Sequence, residues 1–145
     1  MSWVRLFAVV MGIATAIAQT PDMLSDKNSF LADFLDNDLL SVLGFISAVT
    51  LASIANIHLQ LNAIEERSTH SFAVTRHALR KSALTLIILF GLAFLIVVIK
   101  PIFAVGLGLQ GLFNGAAMVV VYINLDVMWD ITSATFNIPS LKKRP

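Results

Sequence analysis

Two carboxylates, Asp126 and Asp130, stand four residues apart at the end of a long uncharged tract. Four-residue spacing places both side chains on one face of a helix. An ionisable group within an apolar segment is a functional candidate, because a charge is costly to remove from water. The structural alternative, favoured here, is pairing with a nearby basic side chain, for which the candidates are Arg76, Arg80 and Lys81.

Neutral polar side chains inside the uncharged tracts form a second set of candidates. They are Asn56, Gln60, Asn114 and Asn124, which together with Asp126 make up the predicted intramembrane polar residues. An amide facing lipid costs free energy, so these groups are expected to face protein or water. Hydrogen bonds that they make between helices would contribute about 0.6 kcal/mol each.

Motifs for catalysis or for a cofactor are not found. The chain contains no cysteine, which excludes thiolate chemistry and cysteine-based zinc or iron–sulfur sites. The three histidines have no metal-binding spacing, and His58 is expected to be a packed, hydrogen-bonded residue. Residues 106–111 match GxGxxG, but no strand precedes them, so they indicate a turn rather than a dinucleotide site. A non-enzymatic protein without cofactor or metal is expected.

The elements that carry these residues are long apolar helices. No Asp, Glu, Lys or Arg occurs in residues 39–64, 82–99 or 101–125, and only 13% of all residues are charged, against about 25% in soluble domains. About 20 apolar residues span a bilayer as a helix. The sequence therefore predicts an all-α integral membrane protein with one domain, residues 1–145, and four transmembrane helices packed as a bundle. The predicted spans are residues 3–20, 38–61, 82–100 and 106–128.

The first predicted span has an alternative interpretation. Residues 1–5 form a short start with one basic residue, Arg5, residues 6–18 are apolar, and Ala16–Ala18 resembles a signal-peptidase site. A retained, tilted helix with Trp3 at the interface is favoured, because hydrophobic mismatch of this size costs little.

Charge distribution predicts the orientation. With both termini in the cytoplasm, eight of the ten basic residues lie on the cytoplasmic side, and the far side keeps only Lys27 and Lys100. Basic residues mark the cytoplasmic side of membrane proteins. The sequence therefore predicts a protein of a bacterial-type inner (plasma) membrane with both termini in the cytoplasm.

Two segments outside the spans have amphipathic character. Residues 29–40 are expected to form a short outer helix in the membrane interface, and the helices around residues 62–81 a cytoplasmic hairpin. A basic set on the hairpin and tail is either a topology signal with phospholipid headgroup contacts or a docking site for a cytosolic protein. These residues are Arg67, Arg76, Arg80, Lys81, Lys142, Lys143 and Arg144. Nucleic acid is not expected as a partner, because two glutamates interrupt the cluster and only Phe72 can stack on a base.

Small residues recur at helical spacing in two spans, which lets helix backbones approach closely. They are Gly44, Ala48, Ala52 and Ala55 in the second span and Gly108, Gly111 and Gly115 in the fourth. The third span is bulky and apolar and is expected to face lipid.

The leading hypothesis is a non-catalytic homo-oligomeric membrane component that docks a cytosolic partner. The alternative is an oligomeric pore or a membrane-permeabilising effector of a defence or lysis system. It is motivated by polar residues of the second span, which are Ser47, Thr50, Ser53, Asn56 and Gln60.

Overall fold

The computed structural model describes residues 3–66 and 71–136, and no strand occurs in these two ranges. The all-helical class predicted from the sequence is therefore confirmed. The helices are α1 Trp3–Gln19, α2 Pro21–Leu24, α3 Ser29–Asp33, α4 Leu39–Glu65, α5 Ala73–Phe103 and α6 Leu107–Phe136, with a π-helical turn Phe34–Asp38 between α3 and α4.

Three helices are long and apolar enough to cross a membrane: α4, α5 and residues Leu107–Ala134 of α6. The first predicted span, residues 3–20, does not meet this criterion by itself. Helix α1 has 17 residues and meets this criterion only together with Pro21–Asp36, to which it is joined by a bend of 118°. The described residues thus give three candidate spans, or four if the bent pair is counted as one broken span.

Helix α5 is longer than the predicted span 82–100 at both ends. It begins at Ala73 and continues past Pro101, which lies in its last turn. A proline there removes one backbone donor near the end of the helix, and the Lys100 carbonyl still accepts from Ala104 N at 2.8 Å. The chain then reverses at Gly106, whose φ of +86° is accessible to glycine without strain.

The segment expected to be a separate outer helix runs directly into α4 through the π turn. Leu31, Leu35, Leu39 and Leu43 recur every four residues and are all buried. An α-helix has 3.6 residues per turn, so a strict four-residue repeat drifts around it. The wider π turn takes up this drift and keeps the four leucines on one side. Leu31 and Leu35 therefore pack into the bundle.

Two hydrophobic clusters hold the bundle together. The Leu43 cluster joins Leu24, Leu31, Leu35, Leu39, Leu43, Leu89, Ala93, Ile96, Ala117 and Val120. The Leu86 cluster joins Ile54, Ile57, Leu61, Leu79, Leu86, Val127 and Ile131. Both clusters draw on α4, α5 and α6, so these three helices pack against one another along most of their length.

Helix α1 packs antiparallel on α6 through the glycines of α6. A Cβ built on Gly111 would lie 3.6 Å from the Ile17 side chain, and one on Gly115 would lie 2.7 Å from Cγ2 of Ile13. Because the residue numbers rise in opposite directions along the two helices, their axes are antiparallel. The absent side chains of the two glycines let α1 approach the α6 backbone.

Candidate functional site

The most strongly buried charge among the described residues is Lys100, whose side chain is 5% exposed. Its Nζ lies 2.8 Å from Asp26 Oδ1 and 3.7 Å from Asp36 Oδ1. A buried ammonium group is tolerated when carboxylates compensate its charge. Asp26 comes from the loop after α2 and Asp36 from the π turn. We call this group, with Asn114 and Gln110 of α6, the Lys100 clasp.

Amides of α6 complete the clasp. Asn114 Nδ2 donates to Leu24 O at 2.7 Å and to Asp26 Oδ1 at 3.1 Å, and Asp26 N donates to Gln110 Oε1 at 3.4 Å. Asn114 is completely buried. The clasp therefore ties the segment between α1 and α4 to the ends of α5 and α6.

Burial by itself raises the pKa of Asp26. Hydrogen bonds from Lys100 and Asn114 and the positive charge of Lys100 outweigh burial, and together they hold the pKa of this carboxyl below its ordinary value of 3.8. Asp26 therefore stays ionised at neutral pH, where it compensates the Lys100 charge.

Lys100 and Asp26 were not predicted from the sequence as site residues. A signal was present, because residues 22–38 hold five carboxylates and Lys100 is a lysine at the boundary of an apolar tract. Asn114 was predicted as an intramembrane polar group, but its partners in the loop, Leu24 and Asp26, were not predicted.

A second polar layer lies between the two hydrophobic clusters. On α6, Asn124 falls between Val120 of the Leu43 cluster and Val127 of the Leu86 cluster. Asn124 is 0% exposed, and neither its Oδ1 nor its Nδ2 has a hydrogen-bond partner among the described residues. The same holds for the buried hydroxyl of Ser47 on α4. Buried polar groups in this state cost free energy.

The other predicted intramembrane polar residues lie nearer the surface. Asn56 and Gln60 are exposed, and Gln60 Nε2 donates to Asn56 Oδ1 at 3.5 Å. Both line a groove of about 360 Å³ between α4 and α6, together with Ser53. Asp126 is half-buried and Asp130 is exposed.

The predicted small-residue stripes have different surroundings. Gly111 and Gly115 are covered by α1, whereas a Cβ on Gly108 would meet nothing within 4 Å. Gly44 lies against Phe90 of α5, and Ala48, Ala52 and Ala55 are exposed. Two of the three α6 glycines, Gly111 and Gly115, are thus occupied within the chain, whereas Gly108 and the α4 alanines are open.

Of the predicted basic docking residues that the structure describes, one is paired within the chain and two are exposed. Arg76 pairs with Glu65 and donates from Nη1 to Asn62 Oδ1 at 2.9 Å, so it joins α5 to the end of α4. Glu65 also accepts from Phe72 N. Arg80 and Lys81 are exposed. Arg67, Lys142, Lys143 and Arg144 lie outside the described residues.

Within residues 3–66 and 71–136, no group of three or more His, Asp and Glu side chains could hold a metal ion. Comparison with protein-family models, curated proteins and solved structures gave no match. The geometry therefore bears on function through two features: the clasp that anchors the loop, and the surfaces that α4 leaves uncovered.

Proposed function

We propose that the protein is a non-catalytic, self-associating component of a bacterial-type inner membrane, with α4 as the contact between copies. The supporting observation is the contrast between two exposed helix faces. Helix α5 exposes bulky apolar side chains, among them Leu84, Ile88 and Leu95. Helix α4 exposes Ala48, Ala52 and Asn56, which repeat every four residues. Small residues favour helix contact in lipid, and bulky ones suit contact with lipid itself.

Symmetry makes this face suitable for self-association. Copies inserted in the same orientation and related by a two-fold axis along the membrane normal place each α4 residue beside its own counterpart. Ala52 would then meet Ala52 of the partner subunit at close backbone distance. Asn56, one turn further along, would gain an amide partner that lipid does not supply.

The channel alternative receives less support from the same helix. Ser47 and Thr50 are buried between the helices, whereas Ser53, Asn56 and Gln60 are exposed near one end of α4. Towards the other end, α4 exposes Val42, Phe45 and Val49. These five polar side chains therefore form no continuous polar face along α4, which a pore lined by this helix would need.

The proposed orientation has both termini in the cytoplasm and four spans. Residues 81 to 100 of α5 cover about 28 Å at 1.5 Å per residue, close to the hydrocarbon thickness of about 30 Å. Helix α1 would cover about 24 Å by the same measure. It runs antiparallel to α6 and packs on it. This arrangement supports α1 as a short fourth span.

Docking of a cytosolic protein is the other part of the proposal. Arg76 is engaged by Glu65 and Asn62. Of the described basic residues named above, Lys81 and Arg80 are therefore the ones that remain available at the cytoplasmic end of α5. They would act together with Arg67 and the tail residues 142–144.

Disulfide cross-linking in native membranes tests the self-association, and the absence of cysteine from the chain makes each introduced thiol unique. Ala52→Cys places a thiol on the proposed contact. Leu84→Cys is the matched control, because α4 and α5 run antiparallel and Leu84 is exposed on α5 at a similar depth. Oxidation should give a covalent dimer for Ala52→Cys and little for Leu84→Cys.

A bulky variant completes the test. Ala52→Leu should lower the dimer fraction in mild detergent, whereas Leu84→Phe should leave it unchanged. Equal cross-linking from both cysteine positions would indicate random collision in the membrane, and a monomer at all concentrations would refute the proposal.

A further inference from the structure

A cleft between α4 and α5 combines a basic end with apolar walls. At one end it is lined by Arg76, His77 and Arg80 of α5 and by His58 of α4. His58 is exposed there, so the expectation that it is a packed residue is wrong. Deeper in the cleft the walls are Leu51, Ile54, Ala55 and Ala83. The basic end and these apolar walls together enclose a volume of about 710 Å³.

The cleft continues along the same helix pair. Leu51 also lines an adjoining apolar pocket of about 220 Å³, which reaches Gly44 and Phe90. From Gly44 to His58 the α4 axis rises about 21 Å at 1.5 Å per residue. One leaflet of hydrocarbon is about 15 Å thick, half of the core. The cleft is therefore long enough to accept an acyl chain with a headgroup at its basic end.

The charges of the cleft match a phosphate. Within the described residues, none of the side chains that line it is a carboxylate. Arg76 is fixed by Glu65 and Asn62, which holds α4 and α5 in register at the mouth. Arg80 is exposed and has no ion pair with a described residue, so its guanidinium is free to bind an anion. Guanidinium groups bind phosphate oxygens in a bidentate manner.

The depth of the two ends fits a lipid rather than a soluble anion. The basic end lies where the uncharged stretch of α5 stops, at Lys81, and the apolar end lies near the middle of that stretch, at Phe90. A phospholipid presents a charged headgroup and an apolar chain in the same order and over the same length. Small side chains at Gly44 and Ala55 leave room for the chain.

We infer that this cleft binds an anionic phospholipid of the leaflet on the basic side of the membrane, with its phosphate at Arg80 and one acyl chain along α4. The identification of this leaflet as the cytoplasmic one rests on the proposed orientation, whereas the cleft itself does not. A site of this kind would make the packing of α4 against α5 depend on lipid composition.

The test is a titration of the purified full-length protein with phosphatidylglycerol, with phosphatidylcholine of equal chain length as the neutral lipid. Bound lipids are counted by native mass spectrometry, and thermal stability is recorded in parallel. Phosphatidylglycerol should bind at least about tenfold more tightly than phosphatidylcholine, as expected for a charge-assisted contact.

Three variants locate the site. Arg80→Gln should lower phosphatidylglycerol affinity about tenfold, whereas Lys81→Gln, which removes the same charge from a residue that does not line the cleft, should leave it unchanged. Ala83→Leu keeps every charge and fills the apolar part, so it should also weaken binding.

The inference is overturned by any of three results. Equal losses from Arg80→Gln and Lys81→Gln would mean general attraction of anionic lipid to a basic surface. Equal affinity for the two lipids would remove the phosphate contact. Stabilisation by inorganic phosphate alone, undiminished by Ala83→Leu, would mean a site for a soluble anion.

Discussion

Replacing Gly115 by alanine should weaken the attachment of α1 to α6. A Cβ at this position would lie 2.7 Å from Cγ2 of Ile13 and 3.3 Å from Cδ1 of Ile17. The first distance is 0.7 Å below the 3.4 Å at which ordinary van der Waals contact begins. Cγ2 of isoleucine is attached directly to Cβ, and one χ1 rotamer is strongly preferred in a helix, so relief of the overlap requires an unfavourable rotamer or a shift of the helix.

The change in the free energy of unfolding caused by Gly115→Ala has two opposing contributions. Overpacking costs about 1–3 kcal/mol. Alanine in place of glycine within a helix contributes about 1 kcal/mol in the stabilising direction. Gly111→Ala receives the same helical contribution, but its Cβ would meet Ile17 at an ordinary 3.6 Å. Gly115→Ala should therefore be about 1–3 kcal/mol less stable than Gly111→Ala, the difference being the steric cost alone.

Thermal unfolding in lipid nanodiscs measures this difference, with Gly91→Ala as a control at which a Cβ meets nothing within 4 Å. Disulfide formation between Ile17→Cys and Gly111→Cys reports the α1–α6 contact directly. Cross-linking should be fast in the otherwise native chain and slower when Gly115→Ala is added. If Gly115→Ala proved as stable as Gly111→Ala and cross-linking were unchanged, α1 would not pack on α6 as described.

Two further predictions concern buried polar groups. Asp26→Asn should destabilise the protein by about 2 kcal/mol, because Lys100 then keeps only the more distant carboxylate of Asp36. Adding Lys100→Met to Asp26→Asn should recover most of that loss, because it removes the buried charge. Folding lowers the pKa of Asp26, so the clasp should stabilise the native protein fully above pH 3.8 and progressively less as the pH falls below this value. Additive effects of Asp26→Asn and Lys100→Met would contradict the proposed pairing. Unfolding without acid dependence would contradict the lowered pKa. Asn124→Leu should raise the free energy of unfolding by about 1 kcal/mol, because it removes a buried amide that has no hydrogen-bond partner among the described residues. A less stable variant would show that the amide is hydrogen-bonded in the membrane.

The membrane class and the helical character were predictable from the sequence. Three uncharged tracts require helices, because every backbone donor and acceptor must be satisfied within lipid. The tracts became α4, α5 and the greater part of α6. The end of α5 was less predictable, since the helix continues past Pro101 to Phe103.

Pairings between distant segments depended on the tertiary structure. The sequence indicates that Gly111 and Gly115 form a packing stripe, but it does not say whether the occupant is α1 or another copy of the chain. The Ile13 and Ile17 side chains decide this in favour of α1. In the same way, the sequence indicates only that Lys100 lies at the boundary of an apolar tract. The fold of the loop places Asp26 Oδ1 2.8 Å from its Nζ.

The physical reason is the difference between local and non-local information. Hydrophobicity and charge along one helix determine whether it enters the membrane, and these are properties of consecutive residues. The partner of a small-residue stripe or of a buried amine is set by which segment, about 75–100 residues away, packs best against it. Composition determined where the helices lie, and three-dimensional packing determined what each of their faces meets.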